Sequence, residues 1–271
     1  DGTGFIIGPE ADCAGVCFGD AAEDCNGICD GGTVIDECGN CGGEDYFTDG
    51  LLPDGSCDCD ENVDLGCGCG EVRISVCGTC GESCTINVGP NTDDDFTDIQ
   101  PAIDAANDGD IVMVSAGTYS ENIEWPDNNI ELIGAGADLT IIYGDDSDRV
   151  IKFTSNNINT QSLLKHFTIK NGLGGILIES SSPTIDNCKI IDNIAINEPG
   201  GGIKVDGAGF EDVSPIISNS IITNNQSIGS GSVSGAGSGI YIEGANPIIS
   251  NNLIAYNKSI FGNAKGAGIF C

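Results

Sequence analysis

The stretch PTIDNCKIIDNIAI at residues 183–196 returns as PIISNSIITNNQSI at 215–228 and as PIISNNLIAYNKSI at 247–260, an interval of 32 residues. Short apolar alternations broken by Asn, Gly or Pro are typical of short strands, and the fixed interval indicates that each turn of chain stacks on the last at about 4.8 Å. We expect the isoleucine columns to form the core and the asparagine columns to form amide ladders at the corners. The columns are Pro183/Pro215/Pro247, Ile185/Ile217/Ile249, Asn187/Asn219/Asn251, Ile190/Ile222/Ile254, Asn193/Asn225/Asn257 and Ile196/Ile228/Ile260.

A second frame, Gly-Ile-x-apolar, lies between these stretches and begins at Gly175, Gly202, Gly239 and Gly268. Because side chains alternate along a strand, each Ile of the frame points inward and the residue that follows it faces solvent. Like charges one coil apart repel each other. A column of outward acidic side chains would therefore favour a bound cation, a shared proton or a lysine placed between the carboxylates. The alternative is a set of solvated side chains. The outer columns are Leu177, Lys204, Tyr241 and Phe270, and beside them Glu179, Asp206 and Glu243.

The start of the coil carries the pattern of a short helix over residues 96–109. Thr97 and Gln100 have the spacing of a capping box, and Gly109 supplies a stop signal. The sequence therefore predicts an all-β fold for residues 86–271, a right-handed parallel β-helix (solenoid) with one short N-terminal capping helix. Residues 1–85 are predicted to form a separate acidic, Cys-rich segment.

The run from 96 to 123 closely resembles the entry segment of pectin-lyase-like β-helix proteins, in which a helix covers the open end of the coil. That resemblance implies ligand and catalytic groups on an outer sheet face, where Tyr241 and Phe270 would offer flat faces to sugar rings. A lyase would need calcium-binding carboxylates and a basic residue, and only Lys204 falls beside the acidic column. A hydrolase would need clustered acids near a histidine, but His166 has no paired acids close in sequence and is expected on a surface strand. Trp125 is expected to pack in a turn.

The first 85 residues repeat every 12 positions, with Asp-Cys-Ala-Gly-Val-Cys at 12–17 answered by Asp-Cys-Asn-Gly-Ile-Cys at 24–29. They resemble Asp-Cys-x-Gly-x-Cys arrays of secreted and surface proteins of marine bacteria, a resemblance that implies no activity. Thirteen of the 15 cysteines lie between Cys13 and Cys84, which indicates an oxidising compartment and cross-links in place of a core.

The pairs Cys38/Cys41 and Cys77/Cys80 have the spacing of structural zinc ligands, yet the compartment favours disulfides. Thirteen is odd, so one thiol must be free, pair with Cys188 or Cys271, or bridge to another chain. A partial calcium-loop pattern, Asp58, Asp60, Asn62 and Asp64, has Val63 where such loops need Gly. It predicts either a Ca²⁺ site or a solvated acidic loop.

Charge restricts the partners. Nine Lys and Arg stand against 42 Asp and Glu, a net charge of −33, which repels nucleic-acid backbones and anionic lipid surfaces. No run is long enough to span a membrane. We therefore expect neither nucleic-acid binding nor membrane insertion.

The expected role is that of a secreted or cell-surface protein that binds or displays, towards a polysaccharide or another cell-surface glycan, with Ca²⁺ as a possible cofactor. The alternatives are a polysaccharide lyase or glycoside hydrolase of this fold, and a structural stalk. The chain stops at Cys271 inside the recurring frame, so we expect further coils. Loops at 206–213 and 229–237 are longer than their counterparts and are candidate walls of a groove.

Overall fold

The structure is a computed structural model that describes residues 13, 21–36, 38–44, 52, 83–207, 209, 213–229, 235–260 and 266–271. The chain divides into two compact units, Asp1–Ile74 and Ser75–Cys271. The second unit is a parallel β-helix that begins at β1. Its elements are, in chain order, β1 (Thr85–Val88), α1 (Ile99–Ala105), β2 (Ile111–Val114), β3 (Gly117–Tyr119), β4 (Ile123–Glu124), β5 (Glu131–Gly134), β6 (Thr140–Tyr143), β7 (Ile151–Phe153), β8 (Leu163–Lys165), β9 (Thr168–Lys170), β10 (Ile176–Glu179), β11 (Thr184–Asp186), β12 (Lys189–Ile191), β13 (Ile194–Ile196), β14 (Ile203–Asp206), β15 (Ile216–Ser218), β16 (Ile221–Thr223), β17 (Gln226–Ile228), β18 (Ile240–Glu243), β19 (Ile248–Ser250), β20 (Leu253–Ala255), β21 (Lys258–Ile260) and β22 (Ile269–Phe270).

These strands form four parallel sheets, which the chain visits in turn. Sheet 1 has the order β1-β2-β5-β8-β11-β15-β19 and sheet 2 the order β3-β6-β9-β12-β16-β20. Sheet 3 contains β13, β17 and β21, and sheet 4 has the order β4-β7-β10-β14-β18-β22. Strands of one sheet are therefore consecutive coils, which confirms the predicted parallel β-helix.

Two of the predicted isoleucine columns form the core of the coil. Ile185 pairs in register with Ile217, and Ile190 with Ile222, and all four side chains are fully buried. Each buried Ile or Leu side chain contributes about 1.5–3 kcal/mol relative to exposure, so these columns dominate the stability of the coil.

The third isoleucine column was predicted wrongly. Ile196 is 52% exposed on sheet 3, whereas its neighbour Ala195 is buried. The next coil shows the same alternation, because Ser227 is buried there. Its hydroxyl accepts a hydrogen bond from the Gly201 N–H at 2.9 Å. The inner space is narrow here, because a Cβ on Gly201 would collide with the carbonyl oxygen of Gln226. Small side chains consequently point inward and the isoleucines point out.

One asparagine column forms the predicted ladder. The side chain of Asn193 donates to Asn225 Oδ1 at 3.0 Å, and that of Asn225 donates to Asn257 Oδ1 at 3.1 Å. Asn225 Nδ2 also donates to the Ile190 carbonyl at 2.8 Å. Asn193 and Asn225 are fully buried, and the hydrogen bonds satisfy their amides.

The other asparagine column has a different task. Asn187, Asn219 and Asn251 have φ of 50°, 52° and 57°, a left-handed conformation that Asn adopts more readily than most residues. Asn187 and Asn219 are exposed at the turns between sheets 1 and 2. The ladder prediction is wrong for this column, because the turn uses the backbone preference of Asn, and the Asn219 amide donates to Asp186 Oδ1 at 2.7 Å instead of to another asparagine.

Helix α1 lies at the start of the coil and buries Ile99, Ala102 and Ile103. The predicted capping box does not form, since the N-cap residue is Asp98 and its side chain makes no capping bond. Instead the carboxylate of Glu121 accepts the N–H groups of Ile99 and Gln100, both at 2.8 Å. The N–H groups of the first helical turn are thus satisfied by Glu121, which lies in the connection between β3 and β4.

The Gln100 side chain connects α1 to β4. It donates to the Glu124 carbonyl at 2.9 Å and accepts the Glu124 N–H at 2.8 Å. The helix ends at Ala105, before Gly109, whose φ of 85° serves the turn into β2 instead of stopping the helix.

The described part of the first unit is cross-linked. Cys13 pairs with Cys29, and Cys25 with Cys41, each across 16 residues. Cys38 and, in the second unit, Cys84 are disulfide-bonded as well. The disulfide prediction is confirmed for these cysteines, and Cys38/Cys41 is not a zinc pair. Cys77 and Cys80 lie outside the described residues. Cys188 and Cys271 are free thiols, which removes them as partners for the odd cysteine.

The repeats contain a second device, which the sequence analysis missed. Asp24 Oδ1 accepts the N–H groups of Asn26 and Ile28, both at 3.0 Å, and its Oδ2 accepts that of Thr33 at 3.2 Å. Asp36, 12 residues later, likewise accepts the N–H groups of Cys38 and Asn40. In these two described repeats the first aspartate therefore shapes the loop that follows it.

Candidate functional site

The outer face of sheet 4 holds the six residues that the sequence singled out. Alternation along β10, β14 and β18 buries Ile176, Ile203 and Ile240 and turns the residues between them outward. The register pairs Leu177 with Lys204, Lys204 with Tyr241, and Tyr241 with Phe270. It also pairs Glu179 with Asp206 and Asp206 with Glu243. The face is thus two adjacent columns with one residue per coil.

The first column continues towards the N-terminus through two residues that the sequence analysis did not include. Lys152 pairs with Leu177, and Glu124 pairs with Lys152. The period-two alternation of Ile151-Lys152-Phe153 could have revealed this, because the flanking side chains are fully buried. The complete column reads Glu124, Lys152, Leu177, Lys204, Tyr241 and Phe270.

The two aromatic side chains stack on each other. The ring centroids of Tyr241 and Phe270 are 5.5 Å apart and their planes differ by 8°. Each ring therefore covers one face of the other. The prediction that the two rings offer flat faces to sugars applies only to the faces that this stacking leaves uncovered.

The Tyr241 hydroxyl donates to Glu243 Oε2 at 3.0 Å. Partial burial raises the pKa of Tyr241, and the hydrogen bond to Glu243 and the charges of Glu243 and Asp206 raise it further. Tyr241 therefore stays protonated at neutral pH and acts as a donor and acceptor, not as a base.

The second column is acidic but partly compensated within the protein. Lys204 Nζ lies 3.4 Å from Asp206 Oδ2 on the same strand, and both side chains are about one-fifth exposed. Glu243 accepts the Tyr241 hydroxyl. No group of three or more His, Cys, Asp or Glu side chains within the described ranges has a metal-binding arrangement.

Lys152 forms the centre of a second charged cluster on the same face. Its Nζ lies 2.8 Å from Glu124 Oε2 and 2.9 Å from Asp148 Oδ2. The hydrogen bonds to Glu124 and then Asp148 raise the pKa of Lys152. Burial alone would raise the pKa of Asp148, but the bonds from Lys152 and the Arg149 N–H outweigh it and lower that pKa. Lys152 and Asp148 are therefore both ionised at neutral pH.

A groove of about 230 Å³ borders the face at Leu177 and contains a residue whose role the sequence concealed. Arg149 is only 3% exposed. Its guanidinium donates to the carbonyls of Gly200 at 2.8 Å and Pro199 at 2.9 Å, and pairs with Glu198 at 3.2 Å. Arg149 therefore holds the 198–200 turn against the coil as a buried anchor.

Other predicted positions fall elsewhere. Asp58, Asp60, Asn62 and Asp64 lie outside the described residues, as do residues 208, 210–212 and 230–234 of the two predicted loops. His166, expected on a strand, occupies the turn between β8 and β9 with a φ of 68°. Trp125 is 3% exposed and packs on Phe153 with ring centroids 4.5 Å apart, so it belongs to the core.

No protein-family model matches this chain, and no curated protein matches it. In the part of the chain that the structure describes, no helix has the length and hydrophobicity to cross a membrane.

Proposed function

We propose that this protein is a secreted or cell-surface β-helix that binds carbohydrate on the outer face of sheet 4. The observation that supports this most directly is the stacked Tyr241–Phe270 pair, which stands in register with Lys204 and beside the carboxylates of Asp206 and Glu243. Aromatic ring faces, which carry the negative part of the ring quadrupole, contact the C–H groups of sugars, and carboxylates, ammonium and phenol groups bond to sugar hydroxyls.

The geometry of the coil favours a linear ligand. Each coil repeats the same outward position at about 4.8 Å, so the face offers a periodic row of contacts along the axis. A polysaccharide is itself a periodic chain, and such a ligand would contact several coils at once. Strands hold these side chains more rigidly than loops would, which lowers the entropic cost of binding.

The extracellular location within this proposal rests on the disulfides. Cys13–Cys29 and Cys25–Cys41 are bonds of a kind that persists in oxidising compartments. The net charge of −33 favours solubility and disfavours anionic partners. The resemblance to pectin-lyase-like proteins points to the same outer face.

Calcium is part of the proposal for the acidic column. Glu179 lies one coil from Asp206, which lies one coil from Glu243, and carboxylate oxygens are the ligands that Ca²⁺ prefers. A cation bound by carboxylates of successive coils would relieve the repulsion between them. The same cation would also relieve the repulsion between this column and an acidic sugar.

Calorimetric titration of neutral and acidic oligosaccharides, with and without Ca²⁺, tests the proposal. Wild type should bind, and Tyr241→Ala should weaken binding about tenfold or more, because truncation of an aromatic contact at a binding surface costs about 1–2 kcal/mol or more. Tyr143→Ala is the matched control, since Tyr143 is exposed on sheet 2 and lies on a different face. Equal binding by wild type and Tyr241→Ala would contradict the proposal.

The same titration separates the other function classes. Binding without cleavage supports a binding protein, and an ultraviolet-absorbing unsaturated product would establish a lyase. No binding to any saccharide would favour the structural stalk.

A further inference from the structure

A second groove lies on the outer face of sheet 1, away from the Tyr241 column. Its volume is about 540 Å³, and it crosses four successive coils. The residues that line it include Asp108, Glu131, Thr160, Gln161, Leu163 and Thr184. It is larger than the groove of about 230 Å³ that borders sheet 4, and the function proposed above does not use it.

Hydrogen bonds between consecutive coils hold the wall of this groove. Asp108 Oδ1 accepts the Asn129 N–H at 2.8 Å, and Asn129 Oδ1 accepts the N–H of Asn159 at 2.9 Å and the hydroxyl of Ser162 at 3.1 Å. Asn129 thus ties three consecutive coils together. These bonds fix the loops before β5 and β8, so the groove is pre-formed rather than created by a ligand.

The floor is amphipathic. Glu131 is outward on β5, half-buried, and paired in register with Ile111 on one side and Leu163 on the other. Thr184 follows Leu163 in the next coil, and its hydroxyl donates to the Thr160 carbonyl at 2.9 Å. A carboxylate between two apolar side chains suits a ligand that has both a positive charge and a C–H face.

The charge of the groove selects against anions. Among the described residues that line it, Asp108 and Glu131 are acidic and none is Lys or Arg. Lys165, two residues after Leu163 on β8, pairs with Asp186 at 3.2 Å. With a net charge of −33 on the chain, a cationic ligand is drawn towards this groove and an anionic one is repelled.

We propose that the sheet 1 groove binds a linear glycan that carries unsubstituted amino groups. An ammonium group would pair with the Glu131 carboxylate, a sugar ring would lie on Leu163, and ring hydroxyls would bond to Thr160 and Gln161. Because the groove crosses consecutive coils at about 4.8 Å spacing, an extended chain fits it better than a compact small molecule.

The test uses the full chain and two probes of equal length, glucosamine oligomers and their N-acetylated counterparts, titrated by calorimetry at mildly acidic pH. The amino form should bind, and the acetylated form should bind at least about tenfold more weakly because it has lost the charge. Glu131→Gln should weaken binding of the amino form by about tenfold, since a charge-assisted bond becomes a neutral one.

Two controls keep the result specific. Asp146→Asn removes one negative charge at an exposed turn with a φ of 60°, which Asn tolerates, and should change affinity less than about twofold. Tyr241→Ala should also leave this binding unchanged, so failure here is distinguishable from failure of the sheet 4 proposal. Thermal unfolding should show the same melting temperature for Glu131→Gln and Asp146→Asn.

Three outcomes would overturn the proposal. These are equal affinity of wild type and Glu131→Gln, an equal loss in Asp146→Asn, and competition by oligolysine as strong as that of the glucosamine chain. The last would mean that the groove recognises peptide amines.

Discussion

The repeats at residues 21–44 and the coil from 83 onward are both periodic, yet they are stabilised in opposite ways. In the repeats Ile28, Val34 and Ile35 are 58–60% exposed, and disulfides and aspartate–backbone bonds hold the loops. In the coil Ile185, Ile190, Ile217 and Ile222 are fully buried. A period of 12 residues is too short to bury a face, whereas a period of 32 returns each strand to its sheet. The difference shows that repeat length decides whether cross-links or burial stabilise the chain.

The largest effect should come from a charge inside the coil. Ile217→Asp places a carboxylate among Ile185 and Ile249 at a position with no exposure, and should destabilise the coil by about 4–5 kcal/mol or prevent its folding. Ile28→Asp, at a 59% exposed position of the repeats, should cost less than about 0.5 kcal/mol. Denaturant titration of both variants measures the contrast, and equal costs would contradict the burial assignment.

The next effect should be confined to the repeats. The double change Cys25→Ser and Cys41→Ser opens a link across 16 residues and should cost about 3 kcal/mol of local stability. Limited proteolysis should then cleave within 21–44, while the melting transition of the coil stays in place. Cys271→Ser, at an exposed free thiol, is the control and should change neither readout. A coil that melts earlier in the double variant would show that the two units are coupled.

The two asparagine columns allow a smaller and sharper comparison within the coil. Asn225→Gly removes a buried amide with two donor bonds and leaves its partners unsatisfied, so it should cost about 2–3 kcal/mol. Asn187→Gly at an exposed left-handed turn should cost less than about 0.5 kcal/mol, because Gly adopts the same φ freely. Thermal melting of both variants measures the two losses of stability. A larger loss in the turn variant than in Asn225→Gly would contradict the roles assigned to the two columns.

The smallest effect concerns acid pH. Burial would raise the pKa of Asp186, but hydrogen bonds from Asn219, Ser218 and Lys165 outweigh it and lower the pKa below its ordinary value. The unfolded carboxyl has a pKa of about 3.9. Its stabilisation is therefore fully present above that pH and is lost as the pH falls through the lower folded value.

We expect this contribution to be below about 1 kcal/mol because the group is partly solvated. Asp186→Asn should flatten the fall in stability between about pH 5 and pH 2. In the repeats, hydrogen bonds from the backbone N–H groups of Ile28, Thr33 and Asn26 also lower the pKa of Asp24, despite some opposing desolvation. A titration of carboxyl carbons by NMR should place both midpoints below about 3.9, and a midpoint above it for either residue would contradict these contacts.

Much of the coil was predictable because its pattern is periodic. The Ile185 and Ile190 columns, the Asn193 ladder and the outer columns through Tyr241 and Asp206 follow from a fixed interval combined with strand alternation. The Ile196 column was predicted wrongly because alternation restarts after the corner at Asn193. Which alternate residues of the next strand point inward depends on the space inside the coil, and that space is narrow beside Gly201.

The features that the sequence analysis missed involve partners that are distant in sequence. Glu121 caps α1 from 22 residues away, and Arg149 reaches the carbonyl of Gly200 from 51 residues away. Local rules assign a cap to Thr97 and a solvated face to a lone arginine. No local pattern indicates these contacts, because they depend on how consecutive coils are placed.

The sequence by itself determined the parallel coil, the buried columns, the cross-linked repeats and the row of side chains on the sheet 4 face, because each is a repeated local preference. Only the tertiary structure decided how those side chains engage. It stacked Tyr241 on Phe270, joined Lys204 to Asp206 and set Glu131 between Ile111 and Leu163 in a groove. The physical reason is that periodicity specifies which residues are neighbours, whereas the contacts between neighbours depend on rotamers, local space and charge compensation within each coil.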